Sequence, residues 1–130
     1  VLPDGDYHDG RWLAWEGPDA AVVVDLGEAV PVRETAAVCL HAGGRLIYSP
    51  EEIAVSVSLD QTDWTPLGSA RWVLEPGVMA RVLRTYRVTV DQPVAARYVR
   101  FELLQRQHVP AWPWAPDSPP WIFLGQLIIK

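Results

Sequence analysis

Apolar and polar residues alternate with a period of two along much of this 130-residue chain. Ile53, Val55, Val57 and Leu59 alternate with Glu52, Ala54, Ser56 and Ser58. Successive side chains of a strand point to opposite faces, so this pattern predicts a strand buried on one side. Val99, Phe101 and Leu103 repeat it against Tyr98, Arg100 and Glu102, as do Tyr86, Val88 and Val90 against Arg87 and Thr89. Val22 to Leu26, Val32 to Leu40 and Trp121 to Ile129 are more continuously apolar, which predicts central strands. Turn-forming residues separate these runs: Gly43-Gly44, Ser49-Pro50, Asp60 to Asp63, Glu75 to Gly77 and Asp91 to Pro93. No segment of helical length carries a 3.6-residue period. Short strands at this spacing predict an all-β sandwich or barrel.

Two stretches break the alternation, residues 1–19 and 105–120. The first holds Asp6-Tyr-His-Asp-Gly-Arg-Trp-Leu-Ala-Trp15, dense in rings and forked polar groups, and runs into the apolar strand Val22 to Leu26 and a turn at Gly27. The second sets Trp112 and Trp114 among Pro110, Pro113, Pro116, Pro119 and Pro120. Proline fixes φ and restricts the residue before it, so this long loop is expected to be stiff. Two tryptophans between prolines are hard to bury together, and at least one is expected to be exposed. With no repeat, low-complexity tract or linker, residues 1–130 read as a single domain.

About half the residues are apolar, but no run approaches the roughly 18–20 apolar residues of a membrane helix. The net charge of −5 argues against a nucleic-acid partner, since phosphate contacts need a basic face. Lys130 is the only lysine beside ten arginines, and asparagine is absent, which removes N-glycosylation from this chain. The arginine bias fits bidentate recognition of polar ligands, and it also fits a GC-rich genome. Cys39 is the only cysteine, so an internal disulfide and a cysteine-based zinc cluster are both excluded. It lies in the apolar run Ala36 to Leu40 and is expected to be a small buried hydrophobe. The chain begins at Val1, which reads as a module cut from a longer protein.

The motifs DYHDGRWLAWEG, AVVVDLG, SPEEIAVSVSLDQTDWTPLG, AARYVRFELL and WIFLGQLIIK, in this order, make the chain resemble the discoidin (coagulation-factor type C) domains and the family 32 carbohydrate-binding modules. Its strongest resemblance is to the C-terminal module of bacterial β-N-acetylhexosaminidases of glycoside hydrolase family 20. The resemblance spans nearly the whole chain. It implies an eight-stranded jelly-roll β-sandwich of the galactose-binding type and a non-catalytic module. The parent is then expected to be a secreted, periplasmic or cell-surface enzyme that processes glycosides. A glycan of galactose or N-acetylhexosamine type and the parent catalytic domain are the implied partners, without nucleic acid or membrane insertion. Members often carry a structural calcium held by the opening loop and by a glutamate of the last strand. Here Gln126 stands at the matching position, and Asp4, Asp6 and Asp9 remain as oxygen donors. The strand that normally precedes the opening loop is short or missing.

Sugar recognition needs a flat aromatic face against the C–H side of the ring and forked polar groups for its hydroxyls. Candidate loops supply His8, Arg11 and Trp12, then His41, Arg45 and Tyr48, and last Trp112 and Trp114. The resemblance assigns Arg45 as the arginine, Trp112 or Trp114 as the platform, and His41 or His8 as the histidine. Plainer roles stand beside these. Trp12 and Trp15 are expected to plug the open end of the sandwich, Trp121 to join the core, and Trp64 to pack, with Trp72 left open. Arg11 suits a clamp with Asp9 or Glu16 as well as a ligand contact. His8, His41 and His108 show no metal spacing, and no GxSxG, P-loop or HExxH pattern is present. The alternative to sugar binding is a structural sandwich whose tryptophans anchor it on a catalytic domain.

Overall fold

In the computed structural model the described residues are 13–16, 19–41, 47–72, 82–105 and 121–130. They form six strands and no helix: β1 (Leu13–Glu16), β2 (Ala20–His41), β3 (Glu52–Ser58), β4 (Thr65–Arg71), β5 (Val82–Leu104) and β6 (Trp121–Ile129). Hydrogen bonding links them antiparallel in the order β1-β6-β2-β5-β3-β4.

Two strands of 22 and 23 residues, β2 and β5, are far longer than the rest. They pair twice. Ala20 to Asp25 face Leu103 to Tyr98, and Glu34 to His41 face Thr89 to Val82. Register shifts between Asp25 and Val30 and between Val32 and Glu34 separate the two ladders. The first ladder continues into β3 and β4, and the second into β6 and β1. β3 and β6 share no ladder, yet Val55 and Val57 of one lie in the same buried cluster as Ile122 and Leu124 of the other. The bent pair is therefore folded into two facing layers. Counting the halves of β2 and β5 separately gives the eight strands of the expected jelly-roll sandwich.

The period-two reading holds along most of these strands, but Leu59, expected inside, is 58% exposed just beyond the end of β3, while Ser56 and Ser58, expected outside, are buried. Ile53, Val55, Val57, Tyr86, Val88, Val99, Phe101 and Leu103 all face the core, with Cys39 among them at 0% exposure. Two expected turns are instead part of longer strands. Asp91 to Pro93 lies inside β5, and Gly27, with φ of 87°, lies inside β2. Both strands must cross from one layer to the other. The residues between Thr89 and Val94 oppose only Arg33, so they form the extra length of a bulge. Pro93 is tolerated there because no ladder bond needs its missing N–H. The turn at Asp60 to Asp63 is as expected. Asp60 Oδ1 accepts from the backbone N–H of Thr62 and Asp63 and from the Ser58 hydroxyl, while Gln61 takes φ of 63°.

The bends, the Asp60 turn and Lys130 share one end of the sandwich, where Asp25 binds the fork of Arg97 at 3.0 and 3.2 Å. This joins the two motifs VDLG and ARYVR directly. The Arg97 guanidinium, helped by the Gly27 N–H, holds the Asp25 carboxyl below its ordinary range. Backbone N–H groups of Asp63 and Thr62, with the Ser58 hydroxyl, do the same for Asp60. A carboxyl depressed in the folded state contributes stability above its unfolded pKa and loses it as the pH falls through the folded value. The urea midpoint should therefore be flat near neutrality and drop below about pH 4. Asp25→Asn and Asp60→Asn should each make that drop shallower, and for Asp25, whose pair is exposed, added salt should mimic part of the effect.

Candidate functional site

At the opposite end the strands stop where the loop segments begin. His41 closes β2, Val82 opens β5, Leu104 closes it, Arg71 closes β4 and Trp121 opens β6. In register, His41 lies beside Val82, Glu52 beside Arg71 and Leu104, and Glu16 beside Trp121. Segments 17–18, 42–46, 73–81 and 106–120 thus all leave from and return to this end. Arg45 and the pair Trp112 and Trp114 belong to these segments and lie outside the described residues, as do His8 and Arg11 of the opening segment.

The end itself is closed by residues 47–50, all buried. Ile47 bridges to Trp121, and the Tyr48 N–H donates to the Trp121 carbonyl at 3.0 Å. The chain then crosses the sandwich. Tyr86 donates its hydroxyl to the Pro50 carbonyl, and the Glu51 N–H reaches the Leu104 carbonyl at 2.9 Å. Residues 47–51 therefore tie the β6 edge of one layer to the β3 edge of the other. Ser49-Pro50, read from sequence as a turn, is the plug of this end.

His41 and Tyr48, two expected ligand residues, are brought together here, with ring centroids 5.5 Å apart and edge to face. They are 1% and 2% exposed, so they form the floor of this end rather than a contact surface. His41 keeps the inward parity of Ala37 and Cys39 along β2. Its Nδ1 lies 3.2 Å from the Ser49 backbone nitrogen and 3.3 Å from the Ser49 hydroxyl. The pair fixes the points where segment 42–46, with Arg45, leaves and rejoins the sheet. The role of plug assigned to Trp12 and Trp15 falls on side chains outside those described; among the described residues Tyr48, Pro50 and Tyr86 close this end.

The remaining tryptophans divide. Trp121 packs with Phe123 on Leu40 and Ile47, a small cluster separate from the main core. Trp72 is 36% exposed, carries the Arg84 guanidinium 4.6 Å over its ring and donates Nε1–H to the Thr85 carbonyl. Trp64 packs outward, against Arg100 on the outer face of the sheet.

For calcium, Asp4, Asp6 and Asp9 lie outside the described residues. Gln126 is placed on β6 two residues beyond Leu124, the register partner of Leu13, where the opening segment joins the sheet. Its Oε1 is buried and without a hydrogen-bond partner, an oxygen suited to a cation but neutral, unlike the glutamate usual in the family. Among the described residues no group of three His, Cys, Asp or Glu gathers as a metal site. Burial pushes the Cys39 thiol well above its usual range, so it is no nucleophile at neutral pH. Among the described residues no helix is long and apolar enough to cross a membrane.

With fold and site in view, comparison with known proteins gives the class. The chain belongs to the F5/8 type C domain family, whose model matches residues 2–116. Solved structures with this fold include CpGH89CBM32-6 from Clostridium perfringens, at 17% identity and a TM-score of 0.57 over 94% of this chain and 79% of that one. CpGH89CBM32-5 of the same organism, solved with GalNAc-β-1,3-galactose, gives 14% identity and a TM-score of 0.58 over 93% and 78%. The family 32 module of Clostridium perfringens NanJ, solved with galactose, gives 11% and 0.53 over 92% and 93%. No curated protein matches the chain significantly.

Two outcomes test this end of the molecule. Tyr86→Phe should lower unfolding stability by about 1 kcal/mol in urea melts, through loss of the buried bond to Pro50. Cys39 should resist thiol reagents in the native protein at neutral pH and react at once in denaturant.

Proposed function

We propose that this chain is a non-catalytic carbohydrate-binding module of a longer, secreted or surface-exposed protein that processes glycosides. The observation that carries this reading is convergence. The segments holding Arg45, Trp112 and Trp114 all attach to one end of a rigid sandwich. That gives an arginine fork and flat rings a common place from which to meet a sugar. The buried His41–Tyr48 floor supports the reading by holding the attachment points of segment 42–46. The similar modules solved with galactose and with GalNAc-β-1,3-galactose favour a neutral glycan of galactose or N-acetylhexosamine type. The net charge of −5 makes anionic lipid a poor alternative.

Calorimetry and glycan-array screening with galactose, N-acetylglucosamine and chito-oligosaccharides test the reading. Affinity should lie at about millimolar to tens of micromolar, since one sugar offers few atoms. Trp112→Ala with Trp114→Ala, and Arg45→Ala separately, should each weaken binding about tenfold or more while leaving the melting temperature unchanged. Unchanged binding in the double variant rejects the tryptophan platform. Failure of the wild-type chain to bind any glycan, with docking onto its parent catalytic domain, favours the structural-appendage alternative.

A further inference from the structure

The outer face of β3, β4 and β5 holds a feature that the loop-end reading does not use. Small residues lie side by side here. Ala54 and Ser56 of β3 face Ser69 and Pro66 of β4 and Glu102 and Arg100 of β5, with Gly68 between. With little side chain in the middle, the face sinks into an open groove of about 510 Å³. One wall is Trp64, which reaches across β3 to place its ring 4.3 Å from the Arg100 guanidinium carbon. The other is Glu52, whose carboxylate accepts the Ser69 hydroxyl at 2.9 Å.

Two buried donors at the base of this groove are left without acceptors. Ser56 is 8% exposed, and its Oγ has no hydrogen-bond partner. Arg100, its register partner, sits with Nε 3.1 Å from Glu102 Oε1, but the N–H is not aimed at that oxygen and makes no hydrogen bond. The separation alone would suggest a bond; the direction of the N–H decides against it. Buried polar groups in folded proteins are nearly always matched, so two adjacent unmatched donors mark a place where an acceptor is missing. Carboxylates of Glu52 and Glu102 stand beside them as acceptors, and the Trp64 ring and Pro66 give an apolar flank.

We infer that this groove is a second binding site, on the sheet face, for a neutral saccharide unit. Each sugar hydroxyl both accepts and donates, so one ring serves Ser56 and Arg100 while donating to Glu102 and Glu52. Its C–H face lies against Trp64 and Pro66. An anionic ligand is disfavoured, because Arg100 offsets only one of the two carboxylates. A cation would satisfy Glu52 but leave both donors unmatched. The site goes beyond the loop-end reading and does not depend on it.

The test is an NMR titration of the isotope-labelled whole chain with lactose, N,N′-diacetylchitobiose and mannobiose, and with galacturonate as the charged control. A neutral sugar should shift the amides of residues 54–56, 66–69 and 100–102. Trp64→Ala and Ser56→Val should each weaken that response about tenfold or more. The Trp112→Ala, Trp114→Ala double variant should leave it intact. Ser56→Ala controls for folding: it removes an unmatched hydroxyl, so it should keep or raise the melting temperature while weakening the response. Shifts confined to the loop segments and lost in the double tryptophan variant would overturn the groove and leave the loop-end reading standing. Shifts confined to the groove would do the reverse. Absence of groove shifts with every neutral sugar, or an equal response to galacturonate, would overturn the site as assigned.

Discussion

The double pairing of β2 with β5 is the constraint on which the rest of the molecule hangs. Both strands run through both layers, so one continuous ladder, interrupted only by bulges, sets the spacing and tilt of the whole sandwich. Every other strand is added to this pair from outside: β6 and then β1 onto β2, β3 and then β4 onto β5. A slip of β5 by one residue along β2 would turn Tyr86, Val99 and Phe101 outward while Cys39 of β2 stayed inward. The bulges at Asp25 to Val30 and Val32 to Glu34 oppose such a slip, because each fixes the residues at which the pairing restarts, the first around Gly27 with its positive φ.

This frame makes the two ends unlike each other. The bending end is tied by short local bonds, those of Asp60 to its own turn and of Asp25 to Gly27 and Arg97. The other end is closed by a buried crossing of residues 47–51, which joins layers that share no ladder there. Among the described residues, Tyr48, Pro50 and Tyr86 make this closure.

The two proposed sites together would have a consequence that neither has alone. A single sugar offers few contacts, but a glycan long enough to touch the loop end and the sheet face would gain from effective concentration. A polymer or densely displayed glycan would then be held more firmly than its free sugar, as the proposed role beside a glycoside-processing enzyme requires. The outer face of β3 and β5 carries Glu52 beside Glu102, which is the reason the proposed groove is assigned uncharged glycans.

Much of this was legible in the chain because it rests on local periodicity. Alternation at Ile53 to Val57 and Val99 to Leu103 marked the core-facing residues, but it misplaced Leu59, which lies exposed beyond the end of β3, and the apolar run around Cys39 foretold its burial. The Asp60 turn was readable because Asp and Ser side chains bond the backbone a few residues away. Other features depend on residues far apart in sequence. Asp91 to Pro93 looks like a turn, yet it is a bulge, because β2 continues alongside and takes up the pairing on both sides. Tyr48 and His41 have the residue types of a sugar site, yet the crossing of 47–51 buries them. Ser56 reads as an ordinary solvated serine. Only when β4 and β5 bring Trp64 and Arg100 over it does it become an unmatched donor at the base of a groove. Strand identity and facing follow from a two-residue repeat within the chain; the neighbours of a side chain follow from registers between strands up to dozens of residues apart, which no local repeat encodes.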